Sequence, residues 1–591
     1  MRYFKILCLF ITSILYSQNA TLAKDYFQKG EYKKALVEYE KLYAKSSSNI
    51  NYINQIINAN QQLEQYNEAE SFILKLIERV NYPAFIVELG YNYQLKNNMQ
   101  KANENYQKAI AYIDEKASHV FGIARSFQNH SLLNEAIISY EKAATLNPDY
   151  NFNLQLAQIY GEQGNINKMF NSYISFAETN PMAVRDVKRA INDFIVEDAT
   201  NPNNILFRKL LLKKMQQHPN ILWNQLLSWL FIQQKDYKKA FTQEKAIYKR
   251  QPESLSRIEE IAIMASNENE NQTAQDIFNY IIETAQDTRT KLKAHQNLIN
   301  LEVKQSTKSN YLAIKNKYLS LIETFGNKPE TLEFQISYAH FLAFYLNHTT
   351  EATKFLENSL KLPLSTLQKA RIKLELGDIL VLQEKFNKAL IYYTQIQRNL
   401  KNSTISQEAR FKVAKASYYK GDFKWAESQL KILKASTSQL IANDALDLKL
   451  LISDNKYEDS LQTALKHYAK ADLLAFQNKN NEAINLLNKI LQEHKTEPII
   501  PQALYKQAQL FELKAATEKA KTNYELIVEN YRDGILIDDA LFRLAKIYET
   551  QLNIPEKAKA LYEQIIFNHP DSIYFIEARK RYRTIRGDAI N

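Results

Sequence analysis

Residues 89–109 read LGYNYQLKNNMQKANENYQKA, and residues 123–148 read IARSFQNHSLLNEAIISYEKAATLNP. In the first stretch Leu89, Gly90 and Tyr93 are followed by Ala102, Tyr106 and Ala109; in the second Ile123, Ala124 and Phe127 are followed by Ala136, Tyr140 and Ala143. Steps of three and four residues gather each set on one face of a helix. Each stretch therefore predicts two helices, each with a small residue in the middle of its apolar face. Helix axes approach to roughly 8–10 Å only where the contact side chains are small, and an aromatic ring one turn later fills the space beside the crossing.

Working outward, Ala35, Ala69, Ala102 and Ala136 stand 34, 33 and 34 residues apart, with Tyr39, Ile73, Tyr106 and Tyr140 four positions after them. A fixed period of this length means one helical hairpin copied along the chain, stacking on its neighbours to share a core. A fifth unit keeps Tyr160, Tyr173 and Pro181 but places Met169 at the small-residue position, which a flexible thioether can fill. Ala240 and Ala274 resume the series, and the stretch Leu206–Met215 supplies the unit between. Beyond residue 290 the period lengthens: Ala352, Ala389 and Ala426 are 37 apart, as are Ala483 and Ala520, and Ala558 follows after 38. The irregular interval of 57 between Ala426 and Ala483 predicts an extra or overlong helix between Ala442 and Ala471. The expected fold is all-α, a right-handed superhelical solenoid of antiparallel helix pairs with roughly 12–15 repeats. Its expected divisions are a signal segment over 1–18, a five-unit array over 19–181, degenerate repeats over 182–325, and a longer-period array with a capping helix over 326–591.

The coincidence of Leu89, Gly90, Tyr93, Ala102, Tyr106 and Ala109, and of Ala136, Tyr140, Ala143 and Pro148, resembles the tetratricopeptide repeat. That resemblance implies paired helices that bind proteins without catalysing a reaction. The segment His569–Pro570–Asp571–Ser572, with Phe575, Ala578 and Arg579 after Ala558 and Tyr562, is similar to repeats of periplasmic accessory proteins of outer-membrane assembly and of the Tol-Pal system. The likeness covers roughly Ile499–Gly587 and lacks the lipid-anchor cysteine of the assembly lipoproteins. Five basic residues over Arg579–Arg586 read as the solvated end of a capping helix or as an acidic docking site.

Ten glycines and twelve prolines in 591 residues exclude collagen-like, loop-rich and β-barrel chains. Arg2 and Lys5 precede the apolar run Ile6–Leu15, and Ser17, Gln18 and Ala20 follow it, so the N-terminus reads as a bacterial, Bacteroidetes-like secretory signal cleaved within Ser17–Ala23. The run is too short to span a bilayer. The expected location is the periplasm, any association with the outer membrane running through a partner. Cys8, the single cysteine, lies inside that segment, so the mature chain would form no disulfide and no cysteine-metal site. A net charge of +11, or +9 without Arg2 and Lys5, is spread among Glu and Asp along helices and reads as solvated faces, not a nucleic-acid surface.

Motifs of chemistry are missing from this sequence. Gly161 and Gly164 have no following Lys and form no phosphate loop, no G-x-S-x-G elbow occurs, and the nine histidines never pair at metal-ligand spacing. His340 stands near Tyr338, where a groove or an ordinary surface setting would serve it equally. Glu259–Glu260 and Asp538–Asp539 are adjacent and so point apart on a helix, which reads as solvated faces. No cofactor, metal or catalytic residue is expected.

What remains is a surface. The repeat register projects Asn54, Asn58, Gln61, Tyr91, Gln94, Arg125, Gln128, Asn129 and Gln158 onto the wall formed by the first helix of each pair, and Lys415, Tyr418 and Tyr419 onto a second, more aromatic strip. Amides and an arginine suit hydrogen bonding to an extended peptide or a glycan; helices that merely stay soluble carry the same residues. The carboxylate-clamp form of the family is disfavoured, because Glu88 and Gly122 fall where its basic residues would be sought. The expected function is a non-enzymatic envelope scaffold recruiting proteins into an assembly or secretion complex, with a receptor for glycan or peptidoglycan fragments as the alternative.

Overall fold

The computed structural model describes residues 20–433, 436, 438–455 and 462–588. The signal segment over 1–18, with Cys8, lies outside them. Among the described residues there is no strand, and most of the helices follow one another as antiparallel pairs. The chain divides into two compact units, one ending at Ser254 and one beginning at Leu255.

In the first unit, residues 20–28 pair with Tyr32–Lys45, Ile50–Gln62 with Tyr66–Arg79, Ala84–Leu95 with Met99–Glu115, Val120–Asn129 with Leu133–Leu146, and Asn153–Glu162 with Ile166–Thr179. Val184–Ile191 and Pro202–Gln217 then both pack on Ile166–Thr179, and Ile221–Gln233 pairs with Tyr237–Arg250. Every ladder alanine named above in either unit is fully buried.

The crossing has a recurrent chemistry. Gly90, Ala124, Gly377 and Ala508 stand sixteen residues before Tyr106, Tyr140, Tyr393 and Tyr524, and the ring of each of these buried tyrosines needs a small partner there. A Cβ added at Gly90 would lie 2.6 Å from the Tyr106 ring, and one at Gly377 would run into the Tyr393 ring. In the pair Ile221–Gln233/Tyr237–Arg250 the same two positions hold Ser228 and Glu244, and a hydrogen bond of 2.6 Å from the Ser228 hydroxyl to the buried Glu244 carboxylate replaces ring packing. Gly90→Ala is expected to destabilise the first unit by about 1–3 kcal/mol through overpacking. Adding Tyr106→Leu should recover part of that loss, and a double-mutant cycle by chemical denaturation checks the coupling.

The tight turns between paired helices each bend through one residue in the left-handed region. Asn97, Asn269 and Asn478 take it at φ 60°, 63° and 57°, and Ala515 does so at φ 52° without the help of a polar side chain. Several second helices are then capped by their own turn: the side chains of Asn98, Asn165 and Asp236 accept from the backbone N–H groups of Lys101, Lys168 and Lys239.

The second unit pairs Ser256–Asn267 with Asn271–Thr284, Thr288–Gln305 with Tyr311–Phe325, Leu332–Phe344 with Thr349–Ser359, Thr366–Leu382 with Phe386–Asn399, and Thr404–Lys420 with Phe423–Leu433. Thr463–Phe476 with Asn480–Glu493, Ile500–Leu513 with Thr517–Asn530, and Ile537–Thr550 with Pro555–Asn568 follow, and Phe575–Arg586 comes last. Its longer period has two structural origins. Thr366–Leu382 and Thr404–Lys420 have 17 residues each where Val120–Asn129 has 10, whereas around Ile500–Leu513 and Ile537–Thr550 extra length sits in the loops between pairs. Among the described residues, the 57-residue interval holds one helix without an antiparallel mate, Gln439–Asp454, packed beside Phe423–Leu433. Among the described residues no helix is long and apolar enough to cross a membrane.

Candidate functional site

The first unit carries a polar recess of about 230 Å³ walled by the first helices of three consecutive pairs. Ile50–Gln62 contributes Asn51, Asn54, Gln55 and Asn58; the segment before and within Ala84–Leu95 contributes Tyr82, Phe85 and Glu88; Val120–Asn129 contributes Gly122, Arg125, Ser126 and Asn129. Four residues of the sequence-derived wall, Asn54, Asn58, Arg125 and Asn129, are thus brought together. Their register follows from the buried faces: Ile53, Ile56 and Ile57 turn inward on the first helix and Ile123, Ala124 and Phe127 on the third, leaving the intervening positions to face the recess.

Glu88 forms the floor. It is 5% exposed, accepts a hydrogen bond from the Ser126 hydroxyl, and meets His130 Nε2 at 2.8 Å, while the imidazole stacks on Tyr91 with ring centres 3.8 Å apart. A carboxylate at this depth is tolerated because both of its oxygens are engaged. Tyr82 lies across Gly122, where a Cβ would come within 2.8 Å of the phenol oxygen, and packs edge-on against Phe85 at 5.1 Å. Burial raises the Tyr82 hydroxyl above the ordinary phenol range; nearby Arg125 pulls it down and Glu88 pushes it up. Among the described residues, the side chains of Asn54, Gln55, Asn58, Arg125 and Asn129 make no hydrogen bond or ion pair with the protein, so their donors and acceptors are available to a ligand.

Other expected site residues have internal work. Gln94 and Gln128 accept from the hydroxyls of the crossing tyrosines Tyr106 and Tyr140, at 2.9 and 3.0 Å, and Glu512 and Glu549 do the same for Tyr524 and Tyr562. Tyr91 is held against His130, and Gln61 is buried. Gln158 is exposed but outside the recess lining. The aromatic strip is corrected more strongly: Tyr418 is fully buried beneath Phe423, and Lys415 is bonded at 2.7 Å to Asp472, which Lys506 also holds at 2.6 Å. Tyr419 packs on Tyr418 and Phe476. Tyr418 stands four residues after Ala414, as Gln94 does after Gly90 and Gln128 after Ala124, a position that turns toward the crossing; its helix packs there against Thr463–Phe476.

Asp538 and Asp539 depart from solvated faces as well. Asp538 accepts from Ser572, and Asp539 accepts from the hydroxyls of Tyr574 at 2.7 Å and Tyr505 at 3.3 Å. Glu259 and Glu260 do point apart, toward Lys293 and Arg257. His340 pairs with Glu375 at 2.9 Å and stacks on Phe344. In the last helix Arg581 reaches back to Glu549, so that end is not wholly solvated. Missed by sequence reasoning were Gln55 and Tyr82, one beside the projected positions and one in a loop, where helical register gives no guide. Among the described residues no cluster of three His, Cys, Asp or Glu side chains could hold a metal.

The model described as "Tetratricopeptide repeat" matches residues 502–534 and 539–572. The helix pairs there are similar to tetratricopeptide repeats. Their crossings use the same small-residue and tyrosine arrangement as the helix pairs of the first unit. No curated protein matches the chain. Solved structures aligned with it include "Structure of Naa15/Naa10 bound to HypK-THB", at 12% identity over 97% of this chain and 94% of that one with a TM-score of 0.28. The crystal structure of yeast Tom70 aligns at 18% identity over 89% and 98% with a TM-score of 0.28, and that of the APC/C hetero-tetramer Cut9-Hcn1 at 12% over 96% and 96% with 0.23.

Proposed function

We propose that the protein is a non-enzymatic scaffold of the bacterial envelope, and that its first unit holds an extended segment of a protein partner in the amide-lined recess. The carrying observation is the convergence of five unengaged side chains, Asn54, Gln55, Asn58, Arg125 and Asn129, from two helices that are themselves fixed by buried packing. Side-chain amides offer a donor and an acceptor each, matching the alternating groups of an extended backbone, and rigid helices spend little binding energy on ordering the receptor. A peptide is favoured over a glycan because the rings nearby are committed to protein contacts, Tyr82 on Phe85 and Tyr91 on His130, leaving no open aromatic face for a sugar.

Export rests on the basic and apolar pattern of Met1–Leu15; cell fractionation and N-terminal sequencing of the mature chain test it, with a start inside Ser17–Ala23 expected. Partners are sought by mild crosslinking and pull-down from the envelope, where discrete protein bands are expected and retention on protein-free cell wall would support the glycan reading. Arg125→Ala should leave stability within about 0.5 kcal/mol of wild type, since Arg125 is exposed, and weaken the captured partner about tenfold. Unchanged affinity in a titration with that partner would remove the recess from the reading.

A further inference from the structure

The second unit holds a recess of about 670 Å³ with a different chemistry, between the second helices of two consecutive pairs, Thr349–Ser359 and Phe386–Asn399, and the turn that leads into the latter. Lys354, Lys385 and Lys388 line it, with Thr350 and Gln395 supplying hydrogen-bonding groups and Ile391 and Tyr392 an apolar wall, while the Thr353 hydroxyl is taken by the Thr349 carbonyl and Gln383. The three ammonium groups make no ion pair or hydrogen bond with the protein among the described residues. That distinguishes them from nearby lysines: Lys315 is bonded to Glu351, Lys412 to Asp378 and Lys470 to Glu384.

The carboxylates that might neutralise the recess are engaged. Glu351 is shared by Lys315 and His348, and Glu384, adjacent to Lys385, is taken by Lys470 and Gln477. Glu357 alone of the lining residues carries negative charge. Three lysines facing one concavity against one carboxylate leave a local positive potential that an acidic ligand would relieve. Ile391, 58% exposed beside them, gives that ligand an apolar contact as well.

We propose that this recess docks an acidic peptide segment of a partner protein, one that places carboxylates on Lys354, Lys385 and Lys388 and an aliphatic side chain on Ile391. A free inorganic anion would use the lysines and leave the Ile391 wall idle. The site is separate in chemistry from the amide recess and does not depend on it.

The test is fluorescence anisotropy of the full chain with a fluorescein-labelled peptide of alternating Glu and Leu. Lys385→Gln/Lys388→Gln is expected to lower affinity at least about tenfold, because both charges face the ligand directly. Lys369→Gln/Lys401→Gln, a matched change of net charge at exposed positions outside the recess, should change it less than about twofold. Equal losses in the two lysine pairs would reduce the binding to diffuse charge and overturn the proposal, as would an unchanged affinity in the first pair. Displacement of the peptide by millimolar inorganic phosphate would assign the recess to a free anion and overturn it too.

Discussion

Ala136→Glu is expected to unfold the hairpin Val120–Asn129/Leu133–Leu146, at a cost of about 3 kcal/mol or more. Ala136 is fully buried where the two helices cross, with Ala124 and Phe127 opposite, also fully buried. A glutamate there must either carry a charge into an apolar contact or spread the helices by several methylene groups, and each is among the most destabilising changes a core can undergo. Because neighbouring pairs share their cores, the loss should spread to the pairs on either side before it reaches the rest of the unit. Hydrogen exchange resolved along the chain is the measurement, since a single melting temperature is poorly defined for a long repeat array. Wild-type protection across 84–179 would mean that the crossing is not where the small residues place it.

The second large effect is expected at Asp472. Its side chain is held between Lys415 and Lys506, and Tyr418 and Tyr468 close over the same region. Burial pushes the Asp472 carboxyl up, but the two ammonium groups together outweigh it and hold the group far below the ordinary carboxylate range. A carboxyl whose folded value is depressed stabilises the fold above its unfolded value of about 3.9, and that stability is lost as pH falls through the acid range. Wild-type protein should therefore lose stability in the second unit progressively below about pH 5. Asp472→Asn should start about 2–3 kcal/mol lower at neutral pH, less than for a fully buried pair because Lys415 and Lys506 remain 32% and 24% exposed, and its pH dependence should be flatter. Urea titrations at pH 7 and at about pH 2.5, well below the unfolded carboxylate value, decide it; parallel curves for the two proteins would show that the triad does not couple folding to protons.

The fold was legible because a crossing constrains side-chain volume at fixed intervals, and volume is written directly in residue identity. The spacing of Gly90, Ala102 and Tyr106 alone assigns them to one contact. Met169, buried at the small-residue position beside Gly161, shows how one unit absorbs a larger group when its partner has no side chain. The recess was half legible. Asn54, Asn58, Arg125 and Asn129 sit where the shared period places them, in units of nearly equal length. Gln94 and Gln128 did not join them, because whether an amide faces outward or turns back to a tyrosine hydroxyl depends on a partner in the next helix, invisible to a one-helix projection. Tyr418 failed for the same reason: it stands four residues after Ala414, as Gln128 does after Ala124, at a position that turns toward the crossing, and the packing of its helix on Thr463–Phe476 is invisible to a one-helix projection.

The unpaired helix Gln439–Asp454 has a consequence for how such a chain can change over time. Among the described residues a whole element stands there without a mate, yet the crossings on both sides, at Ala426 and Ala483, are intact. In a globule with a single centre, an insertion of that size would have to be accommodated everywhere at once. Here the adjustment ends with the adjacent elements, so lineages can lengthen, shorten or re-decorate individual segments while inherited contacts elsewhere persist. The walls that meet partners are therefore free to diversify one hairpin at a time.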